Sequence, residues 1–269
     1  MHCKNCGHKL NEHSLYCEHC GAKVINKRLT IKSMMKQLTT DVMGWDNKYF
    51  KTIRDILVQP RSMLESYLDG TRKRYMNPLG FMLIGLTFSI FIFNTFHDEY
   101  IDLSVQSSKL QLEWFAENFG GPFKNPDFQK EQLESSKRSQ EFILKYFNLL
   151  TFVLLPFYSL LSKLTFGKPL NYAEHLTVNT YLQGISFIST PILFALSVWL
   201  NPNIFLVGLL LTITLYCYAY KKLYRLTIGD TIFKLIVFLI LLFASIFVFI
   251  LLGAVITAIY LFVSKSLVI

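Results

Sequence analysis

The chain has 269 residues, of which 52% are hydrophobic and 17% are charged, and its formal net charge is +9. This composition is too apolar for an ordinary soluble domain. Because the apolar residues fall in uncharged blocks of about 20 residues, the length at which a helix crosses a bilayer, the sequence predicts an integral membrane protein.

The positive charge is concentrated beside the apolar blocks. Residues 1–75 contain twice as many Lys and Arg as Asp and Glu, the pattern of segments retained on the cytoplasmic side of a membrane. This distribution favours membrane orientation and contact with membrane lipids over phosphate contacts, so no nucleic-acid partner is expected. The polar first 30 residues do not have the form of a cleavable signal peptide.

Residues 1–26 predict a small zinc ribbon. Two C-x2-C pairs, each followed by glycine, provide Cys3, Cys6, Cys17 and Cys20. Two such turns direct four thiolates to one point, which is typical of tetrahedral sites that hold zinc or, less often, iron. A shell closed by four cysteines predicts a structural metal that folds the ribbon. The alternative, two disulfides, is disfavoured in a reducing cytosol.

Residues 27–75 are predicted to form cytoplasmic amphipathic helices next to the membrane. Phe50, Ile53 and Leu57 share one face of a first helix. Pro60 suits the first turn of a second helix, which ends before Gly70. Whether these helices lie on lipid or pack against the protein's own cytoplasmic segments stays open at this stage.

Residues 76–269 are predicted to be an all-α membrane domain with about five transmembrane helices. The predicted spans are residues 78–96, 142–162, 176–200, 204–220 and 235–263. Residues 97–141 are predicted to be a polar outer loop that becomes helical from Pro126. The basic residues after the second and fourth spans fall on the side of the basic N-terminal region, which places the N-terminus in the cytoplasm and the C-terminus outside.

A polar stripe follows the predicted third span. It consists of His175, Asn179, Gln183, Ser186 and Thr190, at spacings of four, four, three and four residues, so it occupies one helix face. Polar groups are costly against lipid, and the stripe is therefore expected to face the bundle, either as a hydrogen-bonding seam or as the wall of a polar cavity for a substrate.

Glu174, which precedes His175, has two interpretations. Its carboxylate could stabilise the helix N-terminus, or it could act with His175 in chemistry or at the mouth of that cavity. Adjacent helical residues point about 100° apart, which favours the first interpretation.

Three stretches together resemble an uncharacterised bacterial family of membrane proteins with a zinc-ribbon head. They are the cysteine-rich head, the run from Asp46 through Thr71-Arg72-Lys73-Arg74-Tyr75 to Asn77-Pro78, and Asn171-Tyr172-Ala173-Glu174-His175-Leu176. The resemblance implies a multi-span protein of the bacterial plasma membrane. It implies no activity, because the family is classed as a domain of unknown function.

The motifs favour a non-enzymatic adaptor or regulator whose ribbon binds a cytosolic protein. The sequence contains no phosphate-binding glycine loop, zinc-protease helix motif or serine nucleophile elbow. One alternative is a carrier or channel for a small polar or lipid-like molecule, which with five spans would need either a homo-oligomer or a lipid-like cargo. The other is an intramembrane enzyme built around Glu174 and His175.

Overall fold

A computed structural model describes residues 2–21 apart from 4, 12 and 13, then residues 48–200 and 204–266. The chain divides into two compact units, Met1–Asn47 and Lys48–Ile269. Residues 22–47, which comprise the end of the predicted zinc ribbon and the first part of the predicted juxtamembrane segment, lie outside the described residues. The predicted turn at 201–203 and the last three residues also lie outside them.

The described part of the larger unit is all-α, as predicted, and contains nine α-helices. They are α1 (Lys48–Val58), α2 (Pro60–Leu68), α3 (Pro78–Thr95), α4 (His97–Phe119), α5 (Pro126–Lys145), α6 (Phe147–Phe166), α7 (Tyr172–Trp199), α8 (Ile204–Tyr224) and α9 (Ile228–Ser266). Short 3-10 turns occupy Arg72–Arg74 and Gly121–Lys124. In a helix the backbone amides and carbonyls bond to one another, as they must in a bilayer interior, which offers them no other hydrogen-bonding partner.

Four helical segments among the described residues are long and apolar enough to cross a membrane. They are Arg72–Thr95, Phe147–Phe166, Tyr172–Trp199 and Ile228–Gly253. They coincide with the first, second, third and fifth predicted spans. Helix α8 coincides with the predicted fourth span, but it is not one of the four found among the described residues. A total of five spans therefore stays a prediction.

The segment predicted as an outer loop, residues 97–141, is largely helical. Helices α4 and α5 pack against each other, and the hydroxyls of Ser108 and Ser136 lie 2.7 Å apart between them. At the turn that joins them, Gly120 and Gly121 have φ of 64° and 60°, a region that glycine enters without steric cost. The prediction began the helical part only at Pro126, because the polar residues of α4 interrupt a regular apolar stripe.

The core of the larger unit lies where α3 crosses α7. A Cβ added to Gly85 would lie 2.8 Å from the carbonyl oxygen of Gly184, so the two backbones touch. Close by, the hydroxyl of Ser89 donates to the carbonyl of Phe187 at 2.6 Å. Small residues allow this approach, and packing between the backbones then stabilises the pair in place of a hydrophobic driving force.

Helices α1 and α2 close over one end of this core. Ile56, Met63 and Leu64 are fully buried in the same cluster as Tyr181 of α7 and Leu215 of α8. Part of the juxtamembrane segment therefore packs against the protein's own helices, one of the two alternatives that the sequence left open.

The sequence placed Phe50, Ile53 and Leu57 on one face of α1 and left open what that face contacts. The helix buries Thr52, Asp55 and Ile56, whereas Phe50 is 60% exposed and Leu57 is 46% exposed. Ile53 is partly buried and packs against the core cluster. Hydrogen bonds that join Thr52 and Asp55 to the residues leading into α3 hold the helix in this orientation.

Candidate metal centre and buried polar cluster

The structure brings the four N-terminal cysteines together. Their sulfur atoms all lie within 4.8 Å of one another. The Sγ atoms of Cys3 and Cys20 are 3.7 Å apart, and those of Cys6 and Cys17 are also 3.7 Å apart. A disulfide would need about 2.05 Å, so all four are free thiols converging on one point.

Both cysteine pairs are held by the same backbone turn. The amide of Gly7 donates to the carbonyl of Cys3, and the amide of Gly21 donates to the carbonyl of Cys17, each at 2.8 Å. The two glycines have φ of 73° and 70°, as their place after each C-x2-C pair predicted. Cys3 and Cys17 are buried beside Leu10, which gives the unit a very small core.

The spacing of the sulfurs fits a bound metal. A tetrahedral ion with metal–sulfur bonds of about 2.3 Å requires sulfurs about 3.8 Å apart, close to the two 3.7 Å distances. A metal binds cysteine as the thiolate, so each ligand gives up its proton when the metal binds. A backbone hydrogen bond from His8 lowers the pKa of Cys6, but hydrogen bonds with Cys20 and the other cysteines raise it to about 12. The cluster could hold a metal ion, which would replace those protons.

A second group of polar side chains is buried among helices α6, α7 and α8. At its centre His175 is fully buried. Its Nδ1 lies 3.0 Å from the hydroxyl of Ser162 and 3.3 Å from that of Tyr220, and its Nε2 lies 3.1 Å from the hydroxyl of Tyr224. Both ring nitrogens thus have partners in the same chain, as buried polar groups require.

Asn179 completes this cluster one turn along α7. Its side-chain amide donates to the hydroxyls of Ser159 and Ser162 at 3.2 and 2.9 Å, and its carbonyl oxygen accepts from Tyr220 at 3.1 Å. Asn179 is only 2% exposed. Because each of these groups has a hydrogen-bond partner, the side chains of His175 and Asn179 join α7 to α6 and α8.

The rest of the polar stripe makes simpler contacts. Gln183 accepts a hydrogen bond from the hydroxyl of Tyr216 at 3.1 Å. Ser186 is buried and donates to the carbonyl of Leu182 in its own helix. Thr190 is half-buried near the far end of the stripe. The extended hydrogen-bonded part is therefore confined to the first two turns of α7.

Glu174 forms a capping box at the start of α7. The Asn171 amide donates to Oε2 of Glu174 at 2.6 Å, and the Glu174 amide donates to Oδ1 of Asn171 at 3.0 Å. This reciprocal arrangement satisfies two amides that a helix start leaves without partners. Glu174 thus bonds to backbone, whereas the ring of His175 bonds to hydroxyls of α6 and α8.

Sequence reasoning missed the partners of the polar stripe on the neighbouring helices. Ser159 and Ser162 lie three residues apart in an otherwise apolar stretch of α6. Tyr216, Tyr220 and Tyr224 recur every four residues and so share one face of α8. Both spacings are visible in the sequence, but only the packing of the helices shows that they meet α7.

Replacing Tyr220 with phenylalanine should lower the free energy of unfolding by about 1–2 kcal/mol, because it leaves the buried side-chain oxygen of Asn179 without the hydroxyl that donates to it. Tyr218→Phe on the same helix is the control, since its hydroxyl makes only an exposed 3.3 Å bond to Val58. Denaturation in mixed micelles, followed by circular dichroism, measures both. Equal stability of the two variants would show that the buried cluster contributes nothing.

Comparison with known proteins gives one match. A family described as a protein of unknown function (DUF3667) matches residues 46–90, which include α1, α2 and the crossing residue Gly85. No curated protein and no solved structure matches the chain. The similarity thus covers the juxtamembrane part of the resemblance and the start of the first candidate span, and it is similarity to an uncharacterised domain.

Proposed function

We propose that the protein is a non-enzymatic adaptor or regulator of the bacterial plasma membrane, in which a zinc-folded ribbon binds a cytosolic protein. The convergence of four cysteine sulfurs carries the proposal. Four thiolates complete the coordination of zinc and leave no position for a substrate, so the metal would stabilise the fold of the ribbon. Cys3, Cys6, Cys17 and Cys20 would be the ligands.

The ribbon offers an apolar surface to such a partner. Leu15 and Tyr16, between the two cysteine pairs, are 76% and 52% exposed. Aromatic side chains are enriched at protein interfaces, and an exposed leucine next to a tyrosine on a metal-fixed loop provides a small rigid contact. Binding would then depend on the metal through the shape of this loop.

Quantitative affinity capture with the full-length protein in detergent tests this role. Cys3→Ser with Cys6→Ser should lose the partner together with the metal, whereas Leu15→Ser with Tyr16→Ser should lose the partner and keep the metal. Cys217→Ser, a cysteine of α8 outside the cluster, is the matched control and should behave as the wild type. Recovery of the same proteins by all four forms would overturn the adaptor role.

The proposed topology has five spans, with α8 as the fourth, an N-terminus in the cytoplasm and a C-terminus outside. The basic residues at Arg72–Arg74 and at Lys221 and Lys222 support this orientation. Reporter fusions at the two ends of the chain should be active on opposite sides of the membrane. Activity of both reporters on one side would require an even number of crossings.

A further inference from the structure

The outward face of α1 exposes three large apolar side chains around one arginine. Phe50 and Leu57 are seven residues apart and, with Arg54 between them, form a stripe that continues to Val58. Phe50 is 60% exposed, Leu57 46% and Val58 67%. We call Phe50, Arg54, Leu57 and Val58 the outer stripe of α1.

The inward face of the same helix is already supplied with apolar residues. Ile56 is fully buried in the core cluster, and Tyr49 and Ile53 pack against it, beside the buried Thr52 and Asp55. The apolar residues of the outer stripe are therefore additional to those that the core takes up. A helix in water buries its apolar face and exposes its polar face. A helix that is apolar on its outer face as well is expected where the surroundings of that face are not water.

The position of α1 relative to the first candidate span identifies those surroundings. The hydroxyl of Thr52 accepts from the Met76 amide at 3.1 Å, and the Tyr75 hydroxyl donates to Asp55 at 3.2 Å. These bonds hold α1 against Tyr75 and Met76, which lie just before the start of α3 at Pro78. Since α3 lies in one of the four membrane-long segments, α1 lies where such a segment would leave the bilayer.

Exposed basic residues lie on α1 and on the turn before α3. Arg54 is exposed within the outer stripe, and Arg72, Lys73 and Arg74 are exposed on the 3-10 turn. Of the nearby acidic groups, Asp55 is buried against Tyr75, Glu65 pairs with Arg61 at 2.8 Å, and Asp69 is exposed. Basic residues next to an apolar stripe are the composition that binds anionic membrane surfaces.

We propose that the outer stripe of α1 inserts into the interface of the same membrane, with Arg54 and Arg72–Arg74 contacting the headgroups of anionic phospholipids. Phe50, Leu57 and Val58 would reach the boundary between headgroups and acyl chains. The inference rests on the membrane placement proposed above and adds a lipid-sensing contact to it. Changes in anionic lipid content would act directly on α1, and through Thr52 and Asp55 on the start of α3.

Quenching of tryptophan by brominated lipids tests the proposal on the full chain in lipid nanodiscs. Trp45, Trp114 and Trp199 are first replaced by phenylalanine, and a single reporter is introduced as Leu57→Trp. Phe243→Trp, on the exposed apolar surface of α9, is the positive control for insertion. Glu134→Trp, on the exposed surface of α5, is the aqueous control.

We expect lipids brominated near the top of the acyl chains to quench the reporter at 57 to within about twofold of the reporter at 243, and the reporter at 134 to stay unquenched. Phosphatidylglycerol should increase quenching at 57 over phosphatidylcholine, and Arg54→Gln with Arg72→Gln should abolish that increase. Quenching by brominated lipid at position 243 but not at position 57 would overturn the proposal. Aqueous iodide would then show whether water or protein covers position 57, and either result would contradict insertion into lipid. Loss of quenching at both positions would instead overturn the membrane placement.

Discussion

Replacing Cys17 with serine is expected to eliminate metal binding by the N-terminal unit. Cys17 is 2% exposed and contributes one of four converging sulfurs, and among the described residues of the unit Leu10 is the one other hydrophobic side chain buried with the cysteines. Structural zinc contributes about 10–16 kcal/mol to the folding of comparable small modules, far more than this core can provide. The wild-type protein should contain one zinc ion per chain and the variant less than about a tenth of that.

Elemental analysis by inductively coupled plasma mass spectrometry measures the metal content. Cys217→Ser is the control and should retain a full equivalent. Proteolysis should cleave the N-terminal unit of Cys17→Ser, or of wild type treated with a strong chelator, while the larger unit stays intact. Full zinc content in Cys17→Ser would contradict a four-cysteine site. A full equivalent of iron in the wild type, with no zinc, would leave the site in place and change its metal.

Gly85→Ala is expected to lower the free energy of unfolding of the larger unit by about 2 kcal/mol. The added methyl would lie 2.8 Å from the backbone oxygen of Gly184 and 3.1 Å from Cβ of Phe187. Neither atom can move away by a side-chain rotation, so α3 and α7 would have to separate, and overpacking of this kind costs about 1–3 kcal/mol. The loss should be measurable as an earlier midpoint of denaturation in mixed micelles.

Gly208→Ala provides the matched control for this variant. It introduces the same methyl into helix α8, where the nearest atom is an ordinary 3.8 Å away. Because alanine favours helix over glycine by about 1 kcal/mol, this variant should be as stable as the wild type or slightly more stable. If Gly85→Ala were equally stable, the backbones of α3 and α7 could not be in contact.

The sequence was most informative where one local pattern determines the structure. Cysteine spacing and the glycines after each pair predicted the convergence of four thiols, because each C-x2-C turn is set by neighbouring residues. Uncharged blocks predicted four of the membrane-long helices for the same reason. Helix α4 was missed, since Ser107, Ser108 and Gln111 interrupt its apolar pattern and only packing against α5 accounts for it.

Features that depend on which helices become neighbours were beyond the sequence pattern. The stripe from His175 to Asn179 was predicted to face inward, but nothing local indicated that Ser162 and Tyr220 would meet it. Helix α1 was predicted to be amphipathic, with its apolar face left open between lipid and protein. The partners of Thr52 and Asp55 lie 24 and 20 residues away along the chain, so no local pattern indicated that this side of α1 would be buried.

Helix α9 contrasts with α3 and α7. None of its most apolar window within Ile228–Gly253 is buried inside the protein, whereas α7 buries 44% of the corresponding window. Solubility in hydrocarbon is then the chief demand on the α9 side chains, and many apolar sequences would meet it equally well. Exchanges among Ile, Leu, Phe and Val at the exposed positions of this helix are therefore expected to cost little, whereas a larger residue at Gly85 or Gly184 would push two helices apart.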